Sequence, residues 1–244
     1  MLLAKNLTKS FGPNRSPDSC SEKIFNQFSL EIGKAEVVSL LGASGCGKST
    51  LLRILAGQLM ADSGIITSAA CRAGYLPQDR QLLSWRSVRE NVSLGMEYLG
   101  LEQREKRRRS EQLLLALGLT TAGDLLPAQI SGGMKRRVAL AQLLATLPDL
   151  LLLDEPLTGL DVGGRRLVSK FIKKYCLDNR ASALIVTHSI EEAVLVSDRV
   201  LVMAGRPAEI IHEIRIQESS RAESFGTILS IFCQQEEQFE YRYA

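Results

Sequence analysis

Gly42-Ala43-Ser44-Gly45-Cys46-Gly47-Lys48-Ser49-Thr50 decides the fold. It fits G-x-x-x-x-G-K-[ST], a loop that wraps backbone N–H donors around phosphate and needs a strand before it and a helix after it. Both are present. Glu36 to Leu41 (EVVSLL) has the apolar run of a buried strand, and Lys48 to Ala56 reads as a helix stopped by Gly57. Glycine lets the backbone turn its N–H groups inward, and the helix adds its positive N-terminal end. On this reading Gly42, Ala43, Ser44, Gly45, Cys46 and Gly47 form the cradle and Lys48 reaches the β- and γ-phosphates. The Ser49 hydroxyl takes Mg²⁺, and Thr50 adds a phosphate contact. The motif fixes phosphate binding and not the reaction, because kinases and GTPases share it. Cys46 admits two readings, an oxidation-sensitive thiol or a small residue that fits the loop.

Outward from this loop, short apolar runs alternate with helical stretches, the pattern of a parallel sheet covered by helices. Leu150 to Leu153 and Ala183 to Thr187 read as further buried strands, with a helix from Ile190 to Val196. Val200 to Met203 and Glu209 to Ile214 read as the last strands. Over about 79–148 the apolar spacing turns helical, as in Leu113, Leu114 and Leu117, and marks an inserted helical lobe. Pro13 to Lys23 is polar and rich in turn formers, and reads as a loop between early strands. Past Arg215 the pattern supports only a weak helix near Thr227 to Cys233.

A length of 244 residues suits one α/β domain with a subdomain, so 1–244 reads as a single unit with a tail from about 215. Thirty Lys plus Arg against 27 Asp plus Glu leave a net charge of +3, which gives no basic footprint for nucleic acid. The densest basic run, Arg104 to Arg109, is interleaved with Glu102, Glu105 and Glu111 and reads as a solvated helix face. The five cysteines are scattered without a CxxC pair, which suits a reducing cytosol rather than a zinc or disulfide framework. No stretch approaches the roughly 18 apolar residues of a spanning helix.

Asp154 and Glu155 end the Leu150 to Leu153 run and precede Pro156. So apolar a strand belongs at the centre of the sheet, opening beside the phosphate loop. Asp154 then holds Mg²⁺, and Glu155 orients or deprotonates the attacking water; phosphoryl transfer needs both tasks.

Ile130-Ser131-Gly132-Gly133-Met134-Lys135 resembles the signature motif of ABC ATPases, with two glycines and a serine exposing N–H groups at a helix start. Alone it is a weak motif. Its company strengthens it. Thr158-Gly159-Leu160-Asp161 is similar to the family's D-loop, His188 after ALIVT to its switch histidine, and Gln78 after Leu76-Pro77 to its Q-loop glutamine, a Mg²⁺ neighbour. Phe11 stands where an aromatic stacks on adenine, or else is plain core.

The resemblance covers about 1–213. It implies a P-loop NTPase of the ABC type, with a mostly parallel sheet core, an antiparallel β lobe and the helical lobe. It also implies a head-to-tail dimer, of two copies or with a related subunit. ATP lies between the phosphate loop of one chain and Ser131-Gly132-Gly133 of the other, with Asp161 at the joint and His188 on the γ-phosphate. Leu82-Leu83-Ser84-Trp85, Gly132-Gly133-Met134, His188 to Ala193, Asp198-Arg199-Val200 and Gly205-Arg206-Pro207 look like the nitrate, taurine and aliphatic-sulfonate importer branch. That branch implies a peripheral place on the cytoplasmic face, beneath integral-membrane permease subunits fed by an extracytoplasmic solute-binding protein. Trp85 then lies by the groove for a permease helix, or packs locally. Gln142 in place of the usual Arg, Phe11 in place of Tyr, the long 13–23 loop and the tail depart from the pattern. A soluble ABC ATPase acting as a regulator or clamp is the competing class; a P-loop kinase leaves Ser131–Gly133, Asp161 and His188 unexplained.

Overall fold

From the N-terminus the chain forms β1 (Leu2–Phe11), β2 (Glu22–Ile32), β3 (Val37–Leu41), α1 (Lys48–Leu55), β4 (Ser63–Ser68) and β5 (Ala73–Leu76). The helices α2 (Val88–Leu94), α3 (Gln103–Ala116) and α4 (Gly132–Leu144) follow. Strand and helix then alternate through β6 (Leu150–Asp154), α5 (Val162–Asn179), β7 (Ser182–Thr187), α6 (Ile190–Val196), β8 (Arg199–Ala204) and β9 (Glu209–Arg215). This computed structural model describes residues 1–12, 22–70, 72–79 and 81–231.

Two sheets result. The larger runs β5-β6-β7-β3-β8-β9, parallel throughout except for β9 at one edge. The smaller is the antiparallel sheet β2-β1-β4. Strand β6 is therefore not central, as its composition suggests; β7 and β3 are, and β6 lies one place in from the β5 edge. Its four leucines are nonetheless buried, because both faces are covered. Leu151 and Leu153 join a core with Val138 and Leu140 of α4 and Val168 and Ile172 of α5. Leu150 and Leu152 face the other way, onto Leu51 and Leu52 of α1 and the small sheet.

Helices α2, α3 and α4 make the lobe expected over 79–148. Ser87 starts α2 with a capping box: its Oγ accepts from the Glu90 N–H, and the Glu90 carboxylate accepts from the Ser87 N–H. At the other end Gly95 meets α4 so closely that a Cβ there would lie 2.3 Å from the Gln142 carbonyl oxygen. The basic run on α3 is mostly exposed, with Arg109 half-buried.

Some boundaries move. Glu22 and Lys23 belong to β2 rather than to a loop, and 13–21 lie outside the described residues. The tail helix begins at 221 rather than 227 and continues to 231, while Cys233 lies outside the described residues. Ile228 is fully buried against Leu41, Ala193, Val194 and Val200. Gly57 ends α1 as expected, with φ +71° and its N–H bonded to the Ile54 carbonyl.

Candidate functional site

The parallel strands β3, β6 and β7 end on one side of the sheet, and the motif residues follow their last positions. After β3 the chain turns through Gly42–Gly47 into α1. Gly47 has φ +104°, and a Cβ there would sit 2.5 Å from Ile24 Cγ2, so only glycine fits without displacing the small sheet. Lys48 is buried, and its Nζ donates to the carbonyls of Gly42 and Ala43 at 2.7 Å each. Cys46 is buried with Sγ 3.8 Å from that ammonium. Ala43, Ser44, Gly45 and Ser49 are exposed, and Thr50 is half-buried.

Asp154 ends β6, nearly buried. Burial raises its pKa above the ordinary carboxylate value, while a hydrogen bond from the Ser49 hydroxyl pulls it back. The pair joins the phosphate loop to the acid strand across the sheet. A hydroxyl and a carboxylate are hard oxygen donors, and a cation there supplies the charge that burial denies Asp154, so the residues fit Mg²⁺.

Glu155 follows in the left-handed region, φ +49°. Its N–H donates to the Val186 carbonyl of β7 at 2.9 Å, which fixes the residue beside the neighbouring strand. Among the described residues the carboxylate has three partners. Oε1 is 2.7 Å from His188 Nδ1; Oε2 accepts from Gln78 Nε2 at 3.2 Å and from the Thr158 hydroxyl at 3.3 Å. Gln78, Asp154, Glu155, Gly132 and Arg136 line one cleft of about 490 Å³. Of the expected residues, Gln78, Glu155 and His188 are joined by hydrogen bonds, Asp154 precedes Glu155 and meets Ser49, and Lys48 is bonded within its own loop.

Ser131 caps α4, its Oγ accepting from the Met134 N–H at 3.2 Å. Ser131 and Gly132 are exposed, and a Cβ on Gly132 would meet nothing within 4 Å. Among the described residues no hydrogen bond joins Ser131, Gly132 or Gly133 to the phosphate loop. Asp161 caps α5 by accepting from the Gly164 N–H at 2.7 Å. These groups do not enter the contact chain around Glu155.

Phe11 is not core. At the end of β1 its ring is exposed, with Lys9 Nζ 5.4 Å from its centroid. Trp85 is also exposed, at 73%, so packing does not account for it, whereas Leu82 packs on the helical lobe's core. Sequence reasoning assigned no contact to two arginines. Arg206 Nη2 donates to the Gly45 carbonyl at the phosphate-loop tip (2.8 Å), and its other arm pairs with Glu22. Arg136 reaches the backbone of the Glu155 turn. Arg136 lies outside the quoted motifs and Arg206 stands only in the Gly205-Arg206-Pro207 resemblance; the meeting of distant segments reveals what each one holds.

The ABC transporter family pattern matches residues 25–158. The chain belongs to the ABC transporter family. Two similar proteins are the taurine import ATP-binding protein TauB of Roseobacter denitrificans, 38% identical over 82% of this chain and 77% of TauB, and the aliphatic sulfonates import ATP-binding protein SsuB 1 of Xanthomonas axonopodis pv. citri, 38% identical over 81% of each. Among solved structures, a dimeric ATP-binding cassette in a post-hydrolysis state bound to ADP and Pi superposes with a TM-score of 0.78 at 26% identity, covering 89% of this chain and 99% of that one. This ABC protein binds ATP and is an ATPase. Among its described residues no helix is long and apolar enough to cross a membrane.

Proposed function

We propose that the chain is the ATP-hydrolysing subunit of an importer for a small anionic nutrient such as a sulfonate, taurine or nitrate. It works as a head-to-tail pair on the cytoplasmic face of the membrane, beneath separate permease subunits fed by an extracytoplasmic solute-binding protein. The observation that carries the hydrolytic part is the Glu155 carboxylate, held by His188, Gln78 and Thr158 beside the Ser49–Asp154 bond. A base must be oriented before it can take a proton from water, and three partners orient this one.

In this reading the Gly42–Thr50 loop and the N-terminus of α1 bind the β- and γ-phosphates, and Lys48 moves from the Gly42 and Ala43 carbonyls onto the γ-phosphate. Mg²⁺, held by Ser49 and Asp154 with Gln78 in reach, neutralises phosphate charge. Glu155 takes the proton of the attacking water, and His188 holds the γ-phosphate. Phe11 stacks on the adenine. The exposed start of α4 supports the shared site: Ser131 and Gly132 are exposed at a helix N-terminus, and among the described residues no hydrogen bond joins Ser131, Gly132 or Gly133 to the phosphate loop of their own chain. Asp161, exposed at the start of α5, sits at the joint. ATP binding then closes the pair and product release reopens it, so the permease subunits alternate between two states.

The import reading draws on the relatives named for taurine and sulfonate uptake and on exposed Trp85. The test is to purify the chain from membranes and identify what stays with it. A polytopic permease, and ATP turnover stimulated by one binding protein with its solute, support the reading; capture on ribosomes or DNA overturns it.

A further inference from the structure

Arg136 lies on α4, one helical turn beyond Gly132. It helps line the cleft of about 490 Å³, and its guanidinium reaches the turn that follows β6. Nη1 donates to the Thr158 carbonyl and lies 3.5 Å from the Glu155 carbonyl. It is also 3.8 Å from where a Cβ on Gly159 would stand, so it fills the concave side of the turn. That turn needs holding. It carries two left-handed residues, Glu155 at φ +49° and Gly159 at φ +75°, and its Thr158 N–H to Glu155 carbonyl bond is long at 3.4 Å. The next residue, Arg137, points elsewhere: Nη1 donates to the carbonyls of Leu117 and Gly118, 2.8 and 3.3 Å away in the helical lobe. Successive positions of α4 thus grip the helical lobe and the Glu155 turn.

We infer that Arg136 is a positioning residue that couples the two ATP sites of the pair. It ties the turn bearing Glu155 and Asp161, which serves this chain's own nucleotide, to the helix whose N-terminus serves the partner's. The inference rests on the paired-site reading above. When the partner's nucleotide draws in the start of α4, Arg136 carries that displacement to the Glu155 backbone and so to its carboxylate. A small misplacement of a catalytic base has a large kinetic effect while substrate binding elsewhere stays intact.

The test uses the full chain, titrated with Mg-ATP, as wild type, Arg136→Gln, Arg136→Lys and Glu155→Gln. Arg136→Gln lowers kcat by about tenfold with KM for ATP within about twofold, and the Hill coefficient falls toward one. Arg136→Lys, which keeps a single cationic donor, recovers part of kcat. The double variant Arg136→Gln with Glu155→Gln still dimerises in Mg-ATP, because the start of α4 is intact. Wild-type kcat and Hill coefficient in Arg136→Gln overturn the inference, and so does a raised KM with kcat unchanged. If Arg136→Gln fails to fold, Arg136→Lys decides by the same two readouts. A Glu155→Gln chain that stays monomeric in Mg-ATP sinks the paired-site reading instead, which separates the two failures.

Discussion

His188 Nδ1 lies 2.7 Å from Glu155 Oε1, although 33 positions separate the two residues in sequence. Parallel pairing of β6 with β7 brings them together: Asp154 stands opposite Val186, and the Glu155 N–H caps the Val186 carbonyl. Each residue follows the end of its own strand, so the two strand ends deliver an acid and an imidazole to one point. The imidazole, half exposed, occupies the open side of a largely buried carboxylate. His188 on Oε1, with Gln78 and Thr158 on Oε2, fixes where the carboxylate points.

Glu155→Gln keeps the shape and hydrogen-bonding reach of the side chain but cannot accept a proton from water. The variant binds Mg-ATP and turns it over about a thousandfold more slowly, within the range a positioned base contributes. His188→Ala also slows turnover, since the carboxylate loses its closest partner. Single-turnover hydrolysis with labelled ATP measures both. Wild-type turnover in Glu155→Gln would remove it as the base.

Lys48→Ala takes the buried ammonium from the phosphate loop. Its donors satisfy the Gly42 and Ala43 carbonyls, so the loop loses both its internal tie and its phosphate charge. Nucleotide affinity falls by at least about tenfold, since a charge-assisted bond contributes roughly 1.5–3 kcal/mol. Equilibrium binding of a fluorescent ATP analogue reads this; unchanged affinity sinks the assignment.

The strands β3, β6, β7, β8 and β9 and the phosphate loop were legible because each is a local pattern. EVVSLL and LLLLD are apolar without alternation, as strands covered on both faces must be. The sheet position of β6 was not legible, because composition reports burial and not strand order; β5, only AGYL, is too short to announce the edge it makes. Phe11 and Trp85 could not be told from core residues by type, and their exposure decided the matter. The contacts of Arg206 and Arg136 escaped for a different reason. Each acts on backbone carbonyls of a remote segment, and a carbonyl leaves no trace in the sequence.

Arg206→Ala frees the tip of the phosphate loop. The side chain holds the Gly45 carbonyl at 2.8 Å and touches no group in the Glu155 chain. KM for ATP therefore rises several-fold while kcat changes little, the pattern of lost ground-state binding. Steady-state kinetics separate the two, and a fall in kcat at constant KM speaks against the loop-tip role.

Asp154→Asn trades activity for stability. Burial raises the Asp154 pKa in the folded chain above its unfolded value. Below about pH 4 both states hold the proton and burial costs nothing. As pH rises through the unfolded value, the unfolded state releases its proton first, and stability falls until the folded carboxyl also ionises. Above the unfolded value the wild type carries this charge-burial cost, which the neutral amide avoids. The variant melts higher at pH 7, by roughly 0.5–2 kcal/mol in stability, and the gap narrows toward pH 4, while Mg-dependent turnover is lost. Melting curves at the two pH values test it; equal midpoints at pH 7 argue that burial exerts no cost there.

Ile228→Ala tests whether the unfamiliar tail belongs to the motor. Ile228 is fully buried between Leu41, whose next residue is the first glycine of the phosphate loop, and Ala193 and Val194 of α6, the helix that follows His188. Truncation leaves a cavity that well-packed neighbours fill only in part, costing roughly 2–5 kcal/mol. The contact joins three segments, so part of that loss reaches His188 as looser anchoring of α6. Denaturant unfolding measures the first effect, and amide exchange along 188–196 the second. A variant that is destabilised while exchange in α6 stays at the wild-type level assigns Ile228 to packing alone. Matching losses in both place the tail in mechanical contact with the site.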